Sequence, residues 1–484
     1  MAAVVGLSLW LRHTTRAALP QVDGSLSVAG LTAPVVVSRN AQGVPSIRAG
    51  NLDDLLFAQG FVTAQDRLWQ MDLLRRHAAG ELAEILGSRL IEHDRRQRYL
   101  QLRATADRAA QLMPAAQARE TQAYARGVNA FIDSHRDRLP LEFHLLHYTP
   151  RPWTPRDSLL VSLVMWQDLS TSFPRKLDRE ALSQHLPPDL LPALYPVGSW
   201  RDRPPTQPRT DLTTPHEVEE IPLDPTQVRN TRPRALPEDR AEDLLALSAA
   251  FATRTCPDCR AGSNNWAVSG TRSASGLPLV SNDMHLGLSL PGIWYEAVLH
   301  VPAGNAAPPV DVEGFSLPGL PWIVVGRNAH VAWSLTNLGA DVQDLLVEHL
   351  RGSGNATEFE RPDGTWAPVA HHPERILVRG GHEISLDVLT IPHDVGSGIL
   401  QTPIISPLYR TETRALSLSW SLYDVESLTP PLSSLNTAGD AASLVAAFAT
   451  FSGPSLNLVY ADDHGQIGYH ALGRIPVRGP ATHR

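Results

Sequence analysis

Ala261-Gly-Ser-Asn-Asn-Trp-Ala-Val-Ser-Gly270 is the stretch on which the reading of this chain turns. It closes a polar, proline-rich run and opens an apolar, strand-like one. Ser263 within it has two readings. It is a buried turn residue, or it becomes a chain end if the Gly262–Ser263 bond is cut. In the second case a free α-amino group stands beside the hydroxyl, so nucleophile and base share one residue, as in N-terminal nucleophiles. An α-amine titrates near ~8, so part of it is neutral and able to accept a proton around physiological pH. Gly-Ser alone is common, and what surrounds it must carry the argument.

Upstream, Val22 to Arg48 alternates apolar and polar residues around a turn at Asn40-Ala-Gln-Gly43, a pattern that predicts a hairpin. Asn51 is placed to cap a helix through Asp53 and Asp54. Leu68, Trp69, Met71, Leu73 and Leu74 keep helical spacing until Gly80. Arg103 to Ser134 reads as one long amphipathic stretch and Ser158 to Leu169 as another helix. The apolar and aromatic positions of these helices read first as core. From about Ser199 to Thr255 the text loses apolar period and has linker composition, as in Arg201-Asp-Arg-Pro-Pro205 and Arg232-Pro-Arg-Ala-Leu-Pro237. A structureless loop of that length is uncommon inside a compact domain. After Ser263 strands dominate, ending in a hairpin of Leu456–Ala461, a turn at Asp462-Asp-His-Gly465, and Ile467–His470.

The 484 residues, 43% of them hydrophobic, can bury a sizeable core in one large or two ordinary domains. A net charge of −8 with no basic block gives no sign of nucleic acid as a partner. The two cysteines, Cys256 and Cys259, form a single C-x-x-C without a second pair, so a structural zinc site lacks half its ligands. They read as an incidental pair or a local disulfide. Residues 1–18 read as a signal or anchor segment. The apolar run Ala2–Leu11 is shorter than the ~20 residues needed to span a bilayer and fits a signal's apolar core, but lacks the usual preceding positive charge. Neither G-x-S-x-G nor H-E-x-x-H occurs.

Several blocks together resemble one family. Gly262-Ser-Asn-Asn-Trp-Ala-Val268, Ser281-Asn-Asp-Met-His-Leu-Gly287 and Leu290-Pro-Gly-Ile-Trp-Tyr-Glu296 are similar to the opening of the β chain of the penicillin acylase (penicillin amidase) family. So are Gly319-Leu-Pro-Trp-Ile-Val-Val-Gly-Arg-Asn328 and Ala332-Trp-Ser-Leu-Thr-Asn-Leu-Gly-Ala-Asp-Val-Gln-Asp344. Phe57-Ala-Gln-Gly-Phe-Val-Thr-Ala-Gln-Asp-Arg-Leu-Trp-Gln-Met-Asp72 resembles its first α-chain helices. The blocks fall in the family's order from about Leu19 to Arg478.

The resemblance implies an α+β protein with the four-layer αββα Ntn-hydrolase fold, made from a precursor that cuts itself into α and β chains. It divides the sequence into an α-chain region at 19–199, a spacer at 200–262 and a β chain from 263 to 484. It also implies export to the periplasm or cell exterior, and an acyl-binding helix near Val164 to Leu169. The family's β chain continues well beyond the strand that here reads Gly473-Arg-Ile-Pro-Val-Arg478, so the β chain is expected to be incomplete.

The implied chemistry is hydrolysis of a linear N-acyl amide: a β-lactam side chain, an acyl-homoserine lactone or an acylated peptide. Ser263 would be the nucleophile and its own amine the base, with Gly262–Ser263 as the bond cut in maturation. Thr336 matches the family's strand threonine, which makes the backbone N–H of Asn337 an oxyanion donor. His285 matches a histidine of the cephalosporin- and homoserine-lactone-acylase branches and would orient the amine. The second oxyanion donor of the family is an asparagine beyond residue 484; Asn457 lies upstream of the expected strand and does not match it. Asp341, the Gln343 carbonyl and Asp344 match the spacing of calcium ligands, and oxygen donors from one tight loop suit that ion. Lys176, however, stands where the α chain normally supplies a glutamate. An ammonium cannot ligate a cation, so the expectation is that Lys176 replaces Ca²⁺ and pairs with Asp341 or Asp344. The competing readings are a truncated or unprocessed relative that at most binds acyl ligands, and an unrelated serine hydrolase with a preformed triad.

Overall fold

Ser334 and Thr336, buried and polar, alternate along one strand with Trp333 and Leu335, buried and apolar, so that strand has both faces covered. A computed structural model of the chain describes residues 1–187, 190, 194, 262–287, 289–304, 309–395 and 398–478. It falls into two units, Met1–Thr171 with Leu247–Arg484, and Ser172–Ala246. The spacer expected at 200–262, with Cys256 and Cys259, lies outside the described residues except for Gly262.

In the first unit the strands are β1 (Val36–Arg39), β2 (Pro45–Arg48), β3 (Asn264–Val268), β4 (Leu279–Asp283), β5 (Tyr295–Val301), β6 (Val310–Ser316), β7 (Val325–Asn328), β8 (Val331–Asn337) and β9 (Gln343–Glu348). There follow β10 (Leu350–Arg351), β11 (Glu358–Glu360), β12 (Trp366–Pro368), β13 (Ala370–Ile376), β14 (Ile384–Asp394), β15 (Ile399–Pro403), β16 (Ala415–Trp420), β17 (Leu456–Asp462) and β18 (Ile467–Leu472). Eight of them form one sheet in the order β1-β2-β5-β6-β7-β8-β17-β18, antiparallel throughout except for β2 against β5. Val331, Trp333 and Leu335 of β8 join Leu456 and Leu458 of β17 in the main core. The opposite face, with Thr336 and Asn457, is covered by the two-stranded β3–β4 hairpin, and β9 pairs with β16 in a further two-stranded sheet. Strands β10–β15 form two smaller sheets around Phe359, Val369 and Ile391.

The helices are α1 (Ala2–Ala17), α2 (Leu52–Ala79), α3 (Ala83–Leu86), α4 (Ile91–Tyr99), α5 (Leu102–Leu112), α6 (Ala115–Ser134), α7 (Leu141–Leu145) and α8 (Pro155–Ser170) in the first unit. In the second unit α9 (Phe173–Ser183) carries Pro174 in its first turn. The first unit ends its helices with α10 (Leu432–Asn436) and α11 (Ala441–Ala447). The α+β class expected from sequence holds.

Asn51 caps α2 through a bond from the Asp54 N–H, as the sequence predicts, and Gly80 ends the helix. The hairpin does not begin at Val22, because strand pairing is confined to Val36–Arg48. The Asn40 side chain accepts from the Gln42 and Val44 N–H groups and fixes that turn. Arg103 to Ser134 is two helices rather than one. Met113 precedes Pro114 and leaves the helical region (ψ 130°), which the proline ring demands. α1 exposes Val5, Leu7 and Leu9, and no described helix is long and apolar enough to cross a membrane.

α2 and α6 cross at glycines. A Cβ on Gly60 would run into the Tyr124 carbonyl and one on Gly127 into the Phe57 carbonyl, so two backbones touch where side chains would hold them apart. α2 and α8 are joined by buried charge. Asp72 accepts from Arg75 Nε (2.9 Å), Arg76 Nε (2.9 Å) and the Tyr148 hydroxyl (2.7 Å). Arg75 also reaches Asp157 at 3.3 Å, the residue that forms the α8 capping box with Thr154.

Burial pushes the Asp72 pKa up, but Arg75, Arg76 and Tyr148 outweigh it and hold the carboxyl below its ordinary value. Because its folded pKa is depressed, Asp72 contributes stability above the unfolded carboxylate range, and this is lost as pH falls through the folded pKa. Asp72→Asn leaves two buried guanidinium groups short of a partner. Denaturant unfolding at neutral pH is expected to show a loss of ~3–5 kcal/mol. The deficit relative to wild type should shrink as the pH is lowered.

Candidate functional site

Successive residues of an antiparallel strand direct their N–H and C=O groups alternately to one neighbour and the other. β17 pairs with β8 along Val331–Asn337, whereas β7 pairs only with Ala332 and Trp333. The end of β8 therefore runs on with one side open. Leu335 and Asn337 face that side. The Asn282 side chain takes the place of a strand for Leu335, accepting its N–H (2.9 Å) and donating to its C=O (3.0 Å). The N–H of Asn337 is left for another acceptor. It points at Ser263 Oγ, 3.4 Å away.

Ser263 is held there by the hairpin. It immediately precedes β3, whose register pairs Asn264 with Asp283 and Asn265 with Asn282. Asn282 donates to the Asn264 carbonyl as well as to Leu335, so one amide fixes the serine's strand to β8. The rest of Asn337 is also tied down. Its Nδ2 donates to the Leu169 carbonyl at the end of α8 (2.9 Å) and its Oδ1 accepts from Gly339 N–H (2.9 Å).

Ser263, Thr336 and Asn337 stand at an apolar cleft with a free volume of about 850 Å³, its open mouth included. Met165 and Leu169 on one face of α8, with Met284, Trp294, Phe448 and Phe451, supply much of its wall. None of the described residues lining it is ionisable. The acyl-binding helix expected near Val164 to Leu169 thus contributes to this cleft.

Gly262 precedes the serine against His285. Its N–H donates to the His285 carbonyl (2.9 Å), and a Cβ at Gly262 would lie 2.8 Å from His285 Nε2. Asp283 Oδ2 is 3.4 Å from His285 Nδ1, a half-exposed pair. The structure therefore brings together Gly262, Ser263, His285, Thr336 and Asn337 from the sequence reading. The sequence reading missed Asp283 and Asn282. The asparagine could have been found as the residue opposite Asn265 once β3 and β4 are paired.

The penicillin amidase profile matches residues 34–484. The chain belongs to the penicillin amidase family. It is 31% identical over 485 residues to the acyl-homoserine lactone acylase QuiP of Pseudomonas aeruginosa, covering 99% of this chain and 54% of that protein. It is 32% identical over 469 residues to the penicillin acylase 2 proenzyme of Pseudomonas sp. (strain SE83), covering 96% and 56%. Against penicillin G acylase of Escherichia coli the identity is 26%, with 92% and 54% covered. The chain spans about half the length of these relatives.

The calcium ligands expected from the penicillin amidase resemblance do not fit an ion here. Arg478 occupies the loop: its Nε lies 3.1 and 3.0 Å from the two Asp344 carboxylate oxygens. Its second guanidinium nitrogen donates to the Asp341 carbonyl at 2.9 Å and sits 3.3 Å from the Asp341 carboxylate. Gln343 opens β9 opposite Trp420. No group of three or more His, Cys, Asp or Glu placed to hold a metal occurs among the described residues. Arg478 thus sets a guanidinium against both aspartates, a partner that the sequence reading does not name. Ligand binding to the folded state raises the melting temperature. Adding millimolar Ca²⁺ or EDTA is expected to leave the melting temperature of the wild-type protein unchanged, and Arg478→Met to lower it. A calcium-dependent rise in the wild type would contradict this.

Proposed function

We propose that this chain carries the nucleophilic half of a self-processing amidohydrolase acting on a linear N-acyl amide. Cleavage of Gly262–Ser263 would free the Ser263 amine. Ser263 Oγ would then attack the substrate carbonyl carbon, and the amine would accept the hydroxyl proton directly or through one water. The C=O π electrons become an oxyanion within reach of the Asn337 N–H, a donor that needs no rearrangement to meet it. Collapse expels the amine of the substrate, which takes the proton, and leaves an acyl ester on Ser263 for water to hydrolyse. His285 would orient the new amine from its place against Gly262.

The observation that carries this reading is the Asn337 N–H aimed at Ser263 Oγ at the mouth of the apolar cleft. A single helical or strand serine would have no reason to meet a spare backbone donor at such a place. The absence of ionisable groups among the described lining residues favours an alkyl or aryl acyl group over one ending in a carboxylate, because a buried charge needs a partner. The family relatives named as homoserine lactone and penicillin acylases are consistent with that class. Small, independent acyl differences change discrimination by only ~1–3 kcal/mol, so the cleft's apolar character selects a class of acyl group rather than one compound. Location in the periplasm or outside the cell belongs to the same proposal and rests on the family resemblance.

Intact mass and N-terminal sequencing of the purified protein test the first step. Two chains are expected, one of them beginning Ser-Asn-Asn-Trp, and Ser263→Ala should give neither cleavage nor acylase activity. A single wild-type species near 52.8 kDa would refute self-processing. For the matured protein, kcat/KM should rise with pH as the Ser263 amine loses its proton, around ~8 for an unperturbed amine.

A further inference from the structure

Asn457 is hydrogen-bonded to both residues at the end of β8. Thr336 lies directly opposite Asn457 in the β8–β17 register, and Asn457 lies opposite Ala471 in the β17–β18 register. Side chains two apart on a strand share a face, so Thr336, Asn457 and Tyr469 all lie on the sheet face that carries the β3–β4 hairpin. Asn457 Nδ2 donates to Thr336 Oγ1 (3.1 Å) and to the Asn337 carbonyl (3.1 Å). A carbonyl only accepts, which fixes the orientation of the amide. Asn457 Oδ1 is then left to accept from the Tyr469 hydroxyl (2.9 Å). Thr336, having accepted, donates to Asn265 Oδ1 (3.3 Å), and Asn265 Nδ2 ends the series near the carbonyls of Asn457 (3.3 Å) and Ser334 (3.4 Å).

We propose that Asn457 is the positioning residue of the Asn337 N–H, acting through a directed series of hydrogen bonds from Tyr469 to Asn457 to Thr336 to Asn265. The inference rests on the acylase reading of Ser263. A residue whose N–H is offered to a reacting group must be held by its other polar atoms. Asn457 holds the C=O of Asn337, while Leu169 and Gly339 hold its side chain. The same series reaches Asn265, two residues from Ser263, so nucleophile and donor are placed against one reference. An aspartate at 457 keeps the shape and still accepts from Tyr469. It loses both donated bonds and sets a carboxylate against the Asn337 carbonyl. Asn457 therefore acts on the oxyanion donor and does not serve as the second one.

The test uses Asn457→Asp and Tyr469→Phe in the full chain, with crystal structures of each and steady-state rates on an N-acyl p-nitroanilide. Tyr469 is more than half exposed, so removing its hydroxyl leaves the core untouched. Asn457→Asp is expected to move Asn337 N out of hydrogen-bond reach of Ser263 Oγ. It should lower kcat ~10- to 100-fold, as misplacement of a reacting group by about an ångström does. KM should stay within ~2-fold, since the acyl cleft is not touched. Tyr469→Phe should give a smaller loss of the same kind. Asn337 unmoved in both variants overturns the proposal whatever the rates, and so does a displaced Asn337 with wild-type kcat. If Asn457→Asp does not fold, Tyr469→Phe decides by the same two readings. A wild-type protein that hydrolyses no acyl amide removes the acylase reading, and the position of Asn337 in the variants still decides the positioning role.

Discussion

β8 outruns β7, and the site depends on what fills the gap. A strand end with one side open exposes the backbone groups of two residues, which must be satisfied elsewhere or carry a cost of order 1–3 kcal/mol each when buried. Asn282 satisfies Leu335, and the serine at the head of β3 meets Asn337. The sheet is thus completed by side chains rather than by a strand. A side-chain hydroxyl can be exchanged for a substrate oxygen, whereas a paired strand cannot. Extending β7 by three residues, to the position opposite Asn337, would cover the Asn337 N–H and close the site without touching Ser263.

The helical layer sets the opposite wall of that gap. Asp72, Arg75 and Asp157 tie the C-terminal part of α2 to the first turn of α8. The far end of α8 presents the Leu169 carbonyl to Asn337 and the Met165 and Leu169 side chains to the cleft. Buried ion pairs are weak sources of net stability because desolvation offsets their attraction. Their directionality is what serves here: Asp72 holds the Arg75 guanidinium by two nitrogens within α2, and the third nitrogen meets Asp157 of α8, where an apolar contact would admit many more orientations. A rigid helix of this length then carries that orientation across the core to the cleft.

Local signals in the sequence were reliable where the chemistry is local. The Asn51 cap, the Gly80 stop and the Leu456–Leu472 hairpin each depend on a few consecutive residues. The reading failed where a pattern was extended past its cause. Alternation from Val22 to Pro34 has no partner strand, and the helical period through Arg103–Ser134 ignored the geometry that Pro114 imposes on Met113. It also failed where the relevant partner is far along the chain. Asp344 lies 134 positions from Arg478, and nothing near either residue in the sequence announces that they pair. The place of Asn457 opposite Thr336 likewise comes from strand register, which the order of residues does not record.

The sequence by itself determined the class of the protein, the family and the strand–serine junction at Gly262–Ser263, because period, caps and contiguous motifs are properties of neighbouring residues. It also determined which residues were candidates for chemistry at that junction. Only the tertiary structure decided that Asn337 turns its N–H away from β17 and that Asn282 and Asn457 are bonded to the strand presenting it. It also decided that a guanidinium sits between Asp341 and Asp344. Each of these depends on which strands meet and where one of them stops. Backbone groups are identical in every residue, so no side-chain pattern along the chain records which of them will be left without a strand.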